Sequence, residues 1–180
     1  MKTQALSFRV ATLGLLFISQ SAIAQSSSKD KKIVSDAKLA KQEFLKSDGL
    51  LKNMFNSAYA YVILPNVGKG GIGLGGAAGN GAAFRGGSLV GMAKMTQVTI
   101  GFQWGGQAYR EVIFFETADA FNRFKEDRFE LAAQASAVAV TAGASANAKY
   151  KNGVMIFTQA KGGLMYEASI GGQKFKFRSL

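Results

Sequence analysis

Three glycines and one lysine are the first candidates for chemistry. Gly68, Gly70 and Gly73 fit the pattern G-x-G-x-x-G, and Lys69 lies between the first two. In a dinucleotide-binding unit this pattern opens a helix, and an acidic residue follows about 20 positions later for the ribose. Here more glycines follow instead, and the next acidic residue is Glu111. The sequence therefore predicts that no nucleotide binds at this tract.

The residues that most catalytic centres need are missing. The sequence has no His and no Cys, which removes imidazole-assisted nucleophiles, thiolates and imidazole metal ligands. A pair of carboxylates can still cleave glycosidic bonds. However, Glu126, Asp127 and Glu130 are interleaved with basic residues, a mixture typical of a solvated helix face. We predict a protein that is not an enzyme, with no catalytic residue, no metal site and no cofactor.

The positive charge is large and unevenly distributed. The formal net charge is +11, and no acidic residue occurs between Asp48 and Glu111. Such a span favours anionic partners: phospholipid headgroups, acidic polymers or nucleic acid. The alternative is that the basic charge only keeps the protein soluble. The basic residues of the acid-free span are Lys52, Lys69, Arg85, Lys94 and Arg110.

The first 24 residues have the layout of a secretory signal peptide. Lys2 and Arg9 precede an apolar run over residues 10–18, and the segment ends in Ala22-Ile23-Ala24. We therefore expect residues 1–24 to be removed. The mature protein is then periplasmic or extracellular, where it can lie at a membrane surface. Export makes nucleic acid the least expected of the anionic partners.

Residues 25–56 are predicted to form the helical segment that opens the domain. Apolar residues recur at helical spacing at positions 33, 37, 40 and 44. Ser47, followed by Asp48, is the predicted N-cap of a second, short helix. The first helix has two interpretations: it packs on a sheet with its lysines in solvent, or it lies on a lipid surface. The lysines around its apolar stripe include Lys31, Lys32, Lys38 and Lys41.

From residue 57 the pattern changes to strands, and residues 57–180 are predicted to form a glycine-rich β body of one domain. Thr117 is the predicted N-cap of a short helix containing Phe121 and Phe124, and residues 131–148 favour a strand over a helix. The fold class is α+β, with N-terminal amphipathic helices packed on a mostly antiparallel, glycine-rich sheet or barrel-like sheet. The predicted strands are residues 59–64, ended by Pro65, then 98–104 and 110–116 joined by a hairpin at Gly105-Gly106, then 154–158, 164–170 and 174–177.

The glycine-rich tract is interpreted as strand backbone that bulges, bends or lets another segment approach closely. Its local pattern Lys69-Gly70-Gly71-Ile72 recurs as Lys161-Gly162-Gly163-Leu164. We hypothesise that the two glycine turns, each presenting one lysine, flank a single concavity. The glycines expected to have this structural role are Gly70, Gly71, Gly73, Gly75, Gly76, Gly162 and Gly163.

Four ordered segments resemble the SYLF domain family: Ser57–Gly81, Val98–Gln107, Val112–Phe124 and Ala160–Gly172. The resemblance covers nearly all of the chain after the leader. It implies a lipid-binding module, because eukaryotic relatives bind phosphoinositides through an amphipathic N-terminal helix and basic residues, and some bind actin filaments. By position, Lys31, Lys32, Lys38 and Lys41 fall in that helix, and Lys69 falls in the family's P-N-V-x-K-G-G signature.

Two functions remain open. The first is an exported, non-catalytic module that binds anionic phospholipid. The second is an envelope or secreted protein-interaction module, in which exposed glycine-rich strands offer an edge to a partner. The acid-free span and the family resemblance favour the first. The residues predicted to meet lipid are Lys31, Lys32, Lys38, Lys41, Lys69 and Lys161.

Overall fold

The computed structural model describes residues 28–72, 74–100, 107–126, 129–131, 137–162 and 170–180. The chain divides into two units, Met1–Lys32 and Ile33–Leu180. Residues 28–32 are the described part of the first unit, and they are helical. The packing described below is that of the second unit. The predicted leader, the hairpin at residues 105–106, Gly73 and Gly163 lie outside the described residues.

Three α-helices occur in the described ranges. Residues 28–47 are helical (α1), and they are followed by α2, Leu51–Ser57, and by α3, Ala118–Lys125. Thr117 caps α3 as predicted, because its side chain accepts a hydrogen bond from the N–H of Ala120 at 3.2 Å. No helix in these ranges is long and apolar enough to cross a membrane.

The predicted N-cap at Ser47 is wrong. Ser47 is still helical, and α2 begins only at Leu51. Between the two helices Asp48 closes the turn, since its Oδ1 accepts a hydrogen bond from the N–H of Leu50 at 3.0 Å. An Asx turn of this kind lets one helix end and the next begin within a few residues. The apolar stripe of α1 is buried as expected at Ala37, Ala40 and Phe44.

Eight strands in the described part of the chain form one sheet. Their bounds are β1 Ala60–Ile72, β2 Leu74–Arg85, β3 Ser88–Ile100, β4 Gln107–Phe115, β5 Phe129–Glu130, β6 Val138–Ala139, β7 Val154–Ala160 and β8 Lys174–Ser179. The strand order is β5-β8-β3-β2-β1-β4-β7-β6, and every pair is antiparallel except β6 with β7. The predicted fold class is therefore confirmed: helices packed on a mostly antiparallel, curled half-barrel sheet.

The sequence predicted that Pro65 ends a strand, and this prediction is wrong. β1 continues through it, and one extra residue is accommodated on β1 against both of its neighbours: the register shifts between Ile63 and Asn66 on one side and between Leu64 and Val67 on the other. A β-bulge tolerates a proline because the extra residue makes no ladder hydrogen bond. The glycine-rich tract is thus the paired backbone of β1 and β2, as expected.

Two other predictions need their bounds corrected. β3 begins at Ser88, ten residues before the strand predicted at 98–104, because the glycine-rich stretch around Gly91 hides its alternation. The region 131–148 contains only the two-residue strand β6 among its described residues, followed by a 3-10 turn at Ala144–Asn147. Gly143 opens that turn with a φ of 77°, a left-handed conformation that suits glycine.

The two faces of the sheet carry separate apolar cores. The face that packs against α1 and α2, here called the outer face, buries residues such as Tyr61, Phe114 and Phe157. The opposite face, here called the inner face, packs against α3 and buries Tyr109, Phe115 and Phe175 among others. Aromatic rings of α3 lie against strand rings on the inner face, with Phe124 4.9 Å from Phe115 and 5.3 Å from Phe175 between centroids.

The sheet curls around the inner face. Gln173, just before β8, donates hydrogen bonds from its Nε2 to Tyr109 and Glu111 on β4. In the sheet itself, β8 and β4 are separated by β3, β2 and β1. A contact between strands so far apart in the order requires the inner face to be concave.

The glycines differ in what surrounds them. A Cβ added at Gly70 or Gly162 would meet nothing within 4 Å, and one at Gly76 would lie 3.2 Å from the carbonyl oxygen of Gln97. Gly71 and Gly75 pair with each other across β1 and β2. The closest backbone approach lies elsewhere, at Gly81, where a Cβ would lie 2.5 Å from the carbonyl oxygen of Ile63.

Candidate functional site

The lysines of α1 have different surroundings. Lys38 is exposed, whereas Lys41 is half-buried. The ammonium of Lys41 lies 4.5 Å from the ring centroid of Phe55 and 5.1 Å from that of Tyr61, and it donates a hydrogen bond to the Tyr61 hydroxyl at 3.3 Å. Lys41 therefore links α1 to α2 and β1. Lys31 and Lys32 are exposed helical residues of the first unit.

Lys69 and Lys161 lie on opposite faces of the sheet. Lys69 pairs with Ala77, a residue of the inner core, and so projects from the inner face. The ammonium of Lys161 donates a hydrogen bond to Asn66, and Asn66 pairs with Asn80, two residues from the outer-core residue Ala82. The hypothesis that the two lysines flank one concavity is therefore wrong. The extra residue at Pro65 reverses which face Lys69 occupies.

A line of polar and basic residues crosses the outer face beyond the area that α1 and α2 cover. Lys94 is the register partner of Asn80 on one side and of Lys176 on the other. Asn80 pairs in turn with Asn66, the partner of the Lys161 ammonium. All are exposed. We call this line the basic row: Lys176, Lys94, Asn80, Asn66 and Lys161, which spans β8 to β7, or roughly 24 Å at about 4.8 Å per strand.

Sequence reasoning missed Lys94 and Lys176. Lys94 did stand out as one of the basic residues of the acid-free span, but its partner is 82 positions later in the sequence. The two lysines face each other directly across β3 and β8, and like charges in such a pair destabilise a sheet. The flanking basic residues of β8 on this face are Lys174, paired with Glu130 at 3.6 Å, and Arg178. An anion bound beside Lys94 and Lys176 would offset the repulsion between them.

Small side chains cover the outer face next to the basic row. Gly68, Ala78 and Thr96 lie in line across β1, β2 and β3, and all three are exposed. Val98, two residues further along β3, is 73% exposed. The described outer-face residues of β1, β2, β3 and β8 include no acid. These small side chains leave the surface smooth and basic, so that a partner can approach its backbone closely.

The inner face carries a buried polar cluster that sequence analysis did not anticipate. Glu111 and Thr158 are register partners on β4 and β7, and both are fully enclosed. Gln173 Nε2 donates to Glu111 Oε2 at 2.9 Å and to the Tyr109 hydroxyl at 3.3 Å. We call Tyr109, Glu111, Thr158 and Gln173 the inner polar cluster. Neither strand alternates polar with apolar residues here, since Glu111 follows Arg110 and Thr158 precedes Gln159, so nothing local indicates which polar residue is enclosed.

Burial dominates the electrostatics of this cluster. It raises the pKa of Glu111 to about 7, although the hydrogen bond from Gln173 acts in the opposite direction. Burial, with the nearby carboxyl of Glu111 as a smaller cause, also raises the pKa of Tyr109. Near neutral pH the carboxyl is therefore divided between its protonated and ionised forms. A buried carboxyl with a perturbed pKa is a candidate functional group.

Comparison with known proteins identifies relatives. Residues 96–179 match the family model described as "Ysc84: Las17-binding protein actin regulator". A stretch of 71 residues is 34% identical to Beta cell expansion factor A of Aeromonas veronii and covers 39% of this chain. The match spans 27% of that relative, about a quarter of its length. Both comparisons agree with the resemblance seen in the sequence, and the chain therefore carries a Ysc84/SYLF domain.

Proposed function

We propose that this protein is exported and binds the surface of membranes that contain anionic phospholipid, without catalysing a reaction. The observation that carries the proposal is the basic row on the part of the outer face that α1 and α2 leave uncovered, where the described residues of β1, β2, β3 and β8 include no acid. Lys176 and Lys94 form one end of the row, and the Asn side chains and Lys161 extend it. Lys38, on the exposed side of α1, adds to the positive charge of the same unit.

The expected strength follows from the number of cations. Each Lys or Arg close to an anionic bilayer contributes about 1 kcal/mol, and salt weakens the contribution over a Debye length of roughly 8 to 10 Å. Three lysines of the basic row would thus give weak, reversible binding. The small residues beside the row allow its ammonium groups to reach the headgroups without steric obstruction.

Co-sedimentation with vesicles tests the proposal. The chain from Gln25 onward is mixed with vesicles of phosphatidylcholine, alone or with phosphatidylserine, at low and high salt. Binding only to the anionic vesicles, weakened by salt, is the expected result. The absence of binding to anionic vesicles at low salt would contradict the proposal.

A matched pair of variants locates the surface. Lys94→Ser with Lys176→Ser removes about 2 kcal/mol, or roughly a 30-fold loss of affinity. Lys149→Ser with Lys151→Ser is the control, because both lysines are exposed and precede β7, at its opposite end from Lys161. Equal losses in the two variants would mean that net charge, and not the basic row, determines binding.

A second candidate is a protein-interaction module, supported by the family description that names a Las17-binding protein. The predicted route, in which a partner joins the edge of the glycine-rich strands, is wrong because β1 and β2 lie at the centre of the sheet. A protein partner would have to lie on a face instead. Retention of an envelope protein at high salt, with no preference for lipid charge, would favour this candidate.

A further inference from the structure

An exposed apolar side chain lies on the outer face beyond the basic row. Val98 is 73% exposed, and it follows Lys94 by four residues along β3, or about 13 Å. Lys94, Thr96 and Val98 are exposed, whereas Met95 and Gln97 between them are buried. This alternation places the three exposed residues on one face of the sheet. Val98 therefore extends the outer face past the basic row towards the end of the strand.

Further apolar residues follow Val98 at the same end of the sheet. Ile72 pairs with Leu74, and Leu74 pairs with Ile100, so the three are register partners across β1, β2 and β3. Ile100 comes two positions after Val98, and residues two apart in a strand belong to the same face. An apolar patch rimmed by polar residues is typical of an interaction site, whereas a single exposed apolar residue is ordinary. We call Val98, Ile72, Leu74 and Ile100 the apolar end of the sheet.

The helices determine how a flat surface can meet the basic row. α1 and α2 share one core with Ala82 and Met92 on the outer face, and Met92 precedes Lys94 by two residues. A helix with its side chains is about 10 to 12 Å across, so the helices stand above the part of the face that they leave uncovered. A planar bilayer therefore contacts the basic row only when the strands are inclined to it. The strand end that carries Val98 then lies deepest.

We propose that the apolar end of the sheet penetrates the acyl region of an anionic membrane while the basic row lies at its headgroups. This inference rests on the proposed function and adds an orientation to it. The headgroup layer is roughly 5 to 8 Å thick on each side of a bilayer. Along β3, Lys94 is about 13 Å from Val98 and about 20 Å from Ile100, so inclined strands span this layer. An acidic protein surface would match the lysines but not the aliphatic residues beyond them, whereas an anionic bilayer matches both.

The backbone at the apolar end is suited to shallow penetration. Hydrocarbon strongly disfavours peptide groups that make no hydrogen bond. At this end β2 has a paired strand on both sides, since Gly76 is the register partner of Gly70 and of Val98. On the inner face Lys69 is level with Ala77. A lysine near the headgroup layer extends its ammonium to water along its flexible stem, so Lys69 does not prevent this orientation.

A fluorescent label at one position tests the depth of the apolar end. The sequence has no Cys, so a single introduced cysteine is labelled uniquely with nitrobenzoxadiazole. Val98→Cys is compared with Ser88→Cys, because Ser88 is exposed and begins the same strand. Each labelled chain, from Gln25 onward, is mixed with vesicles of phosphatidylcholine alone or with phosphatidylserine, and co-sedimentation is measured in the same samples.

We expect the emission at position 98 to shift to the blue and rise several-fold on the anionic vesicles. Lipids with a nitroxide on the acyl chain should quench it, and the label at position 88 should not respond. Co-sedimentation without quenching at position 98 would overturn the penetration and leave the proposed function standing, whereas no co-sedimentation would overturn both. A blue shift without vesicles that grows with protein concentration would assign the apolar end to a second copy of the chain and also overturn the proposal.

Two substitutions test the apolar contribution without a label. Val98→Ser should weaken binding to the anionic vesicles roughly tenfold, and by the same factor at low and high salt, because salt screens charges and not apolar burial. Leu180→Ser is the matched control. Leu180 is 71% exposed and follows Ser179, which pairs with Gly91 near the other end of β3, so its loss should leave binding unchanged. Equal losses in the two variants, or none in Val98→Ser, would overturn the proposal.

Discussion

Gln173 donates a hydrogen bond of 2.9 Å to the buried carboxyl of Glu111 and thereby joins the segment before β8 to β4. The same segment is held at two further points. Gln97 Nε2 donates to the carbonyl oxygen of Gly171 at 2.8 Å, and the N–H of Leu131 donates to the carbonyl oxygen of Gln173 at 2.9 Å. The bond to Glu111 thus joins elements that are far apart in the sheet, whereas the other two hold the segment to β3 and to the end of β5, the neighbours of β8.

Stability should fall as the pH rises from about 5 to 8. Burial raises the pKa of Glu111 from 4.5 to about 7, so the folded protein binds this proton more tightly than the unfolded chain. The contribution is complete below pH 4.5 and is lost as the pH rises through 7, a total on the order of 3 kcal/mol. Urea unfolding at several pH values measures it. If Glu111→Gln shows the same slope as the wild type, another group is responsible.

Removing the carboxylate of Asp48 should destabilise the protein by about 2 to 3 kcal/mol. Asp48 is buried, and it accepts hydrogen bonds from the N–H groups of Leu50 at 3.0 Å and Ser145 at 2.8 Å. Asp48→Ala leaves both donors unpaired, whereas Asp48→Asn retains one acceptor and should cost less. Chemical denaturation gives the order wild type, Asn, Ala. Equal stability of the Ala and Asn variants would contradict this account.

Asp48 also gives a prediction for acid. Burial alone would raise its pKa, but the hydrogen bonds from Ser145 and Leu50 outweigh burial and lower the pKa below 3.8. The stabilisation is therefore present above pH 3.8 and is lost as the pH falls through the lowered pKa. Acid titration followed by circular dichroism should show Asp48→Asn unfolding with a weaker dependence on pH than the wild type in this range.

Two glycine substitutions should have opposite effects. Gly81→Ala places a Cβ 2.5 Å from the carbonyl oxygen of Ile63, which is backbone and cannot move aside cheaply. We expect a loss of at least about 2 kcal/mol. Gly68→Ala meets nothing within 4 Å and should be neutral or stabilising by up to about 1 kcal/mol. Thermal unfolding of both variants checks this, and equal costs would show that glycine content alone determines stability.

Lys41 should contribute to stability and not to lipid binding. Lys41→Met keeps the packing of the stem but removes the ammonium from the rings of Phe55 and Tyr61, at a cost of about 1 kcal/mol. Lys38→Met, one turn earlier and exposed, should leave stability unchanged. Denaturation and vesicle co-sedimentation of the two variants separate the effects. If Lys41→Met loses vesicle binding under conditions in which the variant is fully folded, this lysine belongs to the lipid-binding surface.

Reversing one charge of the basic row should stabilise the fold while it weakens membrane binding. Lys176→Glu turns the like-charged pair with Lys94 into an opposite pair, worth about 0.2 to 1 kcal/mol. Reversing Lys94 as well restores a like pair, so the gain should disappear while binding falls further. A double-mutant cycle on unfolding free energies measures the coupling. A coupling of zero would mean that the two side chains do not interact.

The sequence predicted the fold class well because its signals are local. The stripe at residues 33, 37, 40 and 44, the cap at Thr117 and the β-branched and aromatic runs of the strands each depend on neighbours a few positions away. The errors have local causes too. At Ser47 the chain contains a capping residue that is not used as one, because α1 continues and Asp48 makes the turn. At Gly91 the absence of a side chain interrupts the alternation of β3.

The site was less predictable because it depends on register. Lys94 and Lys176 meet only through the pairing of β3 with β8, and the inner polar cluster only through the curl of the sheet. Glu111 gives no sign in the sequence that it is enclosed, since its neighbour Arg110 is equally polar and neither residue indicates which face α3 covers. Composition did indicate the sign of the exposed charge, through the acid-free span that became β1, β2 and β3.

The bulge at Pro65 determines which face of the sheet each later residue of β1 occupies. Counting by twos from the outer-core residue Ile63 would put residues 65, 67 and 69 on the outer face, yet Val67 belongs to the inner core. One added residue has exchanged the two sides, so that Asn66 joins the basic row and Lys69 leaves it. Loss of a single residue here would invert the downstream half of the strand, exposing Val67 to solvent. The number of residues at this position therefore determines which side chains of β1 are exposed, and no substitution could have the same effect.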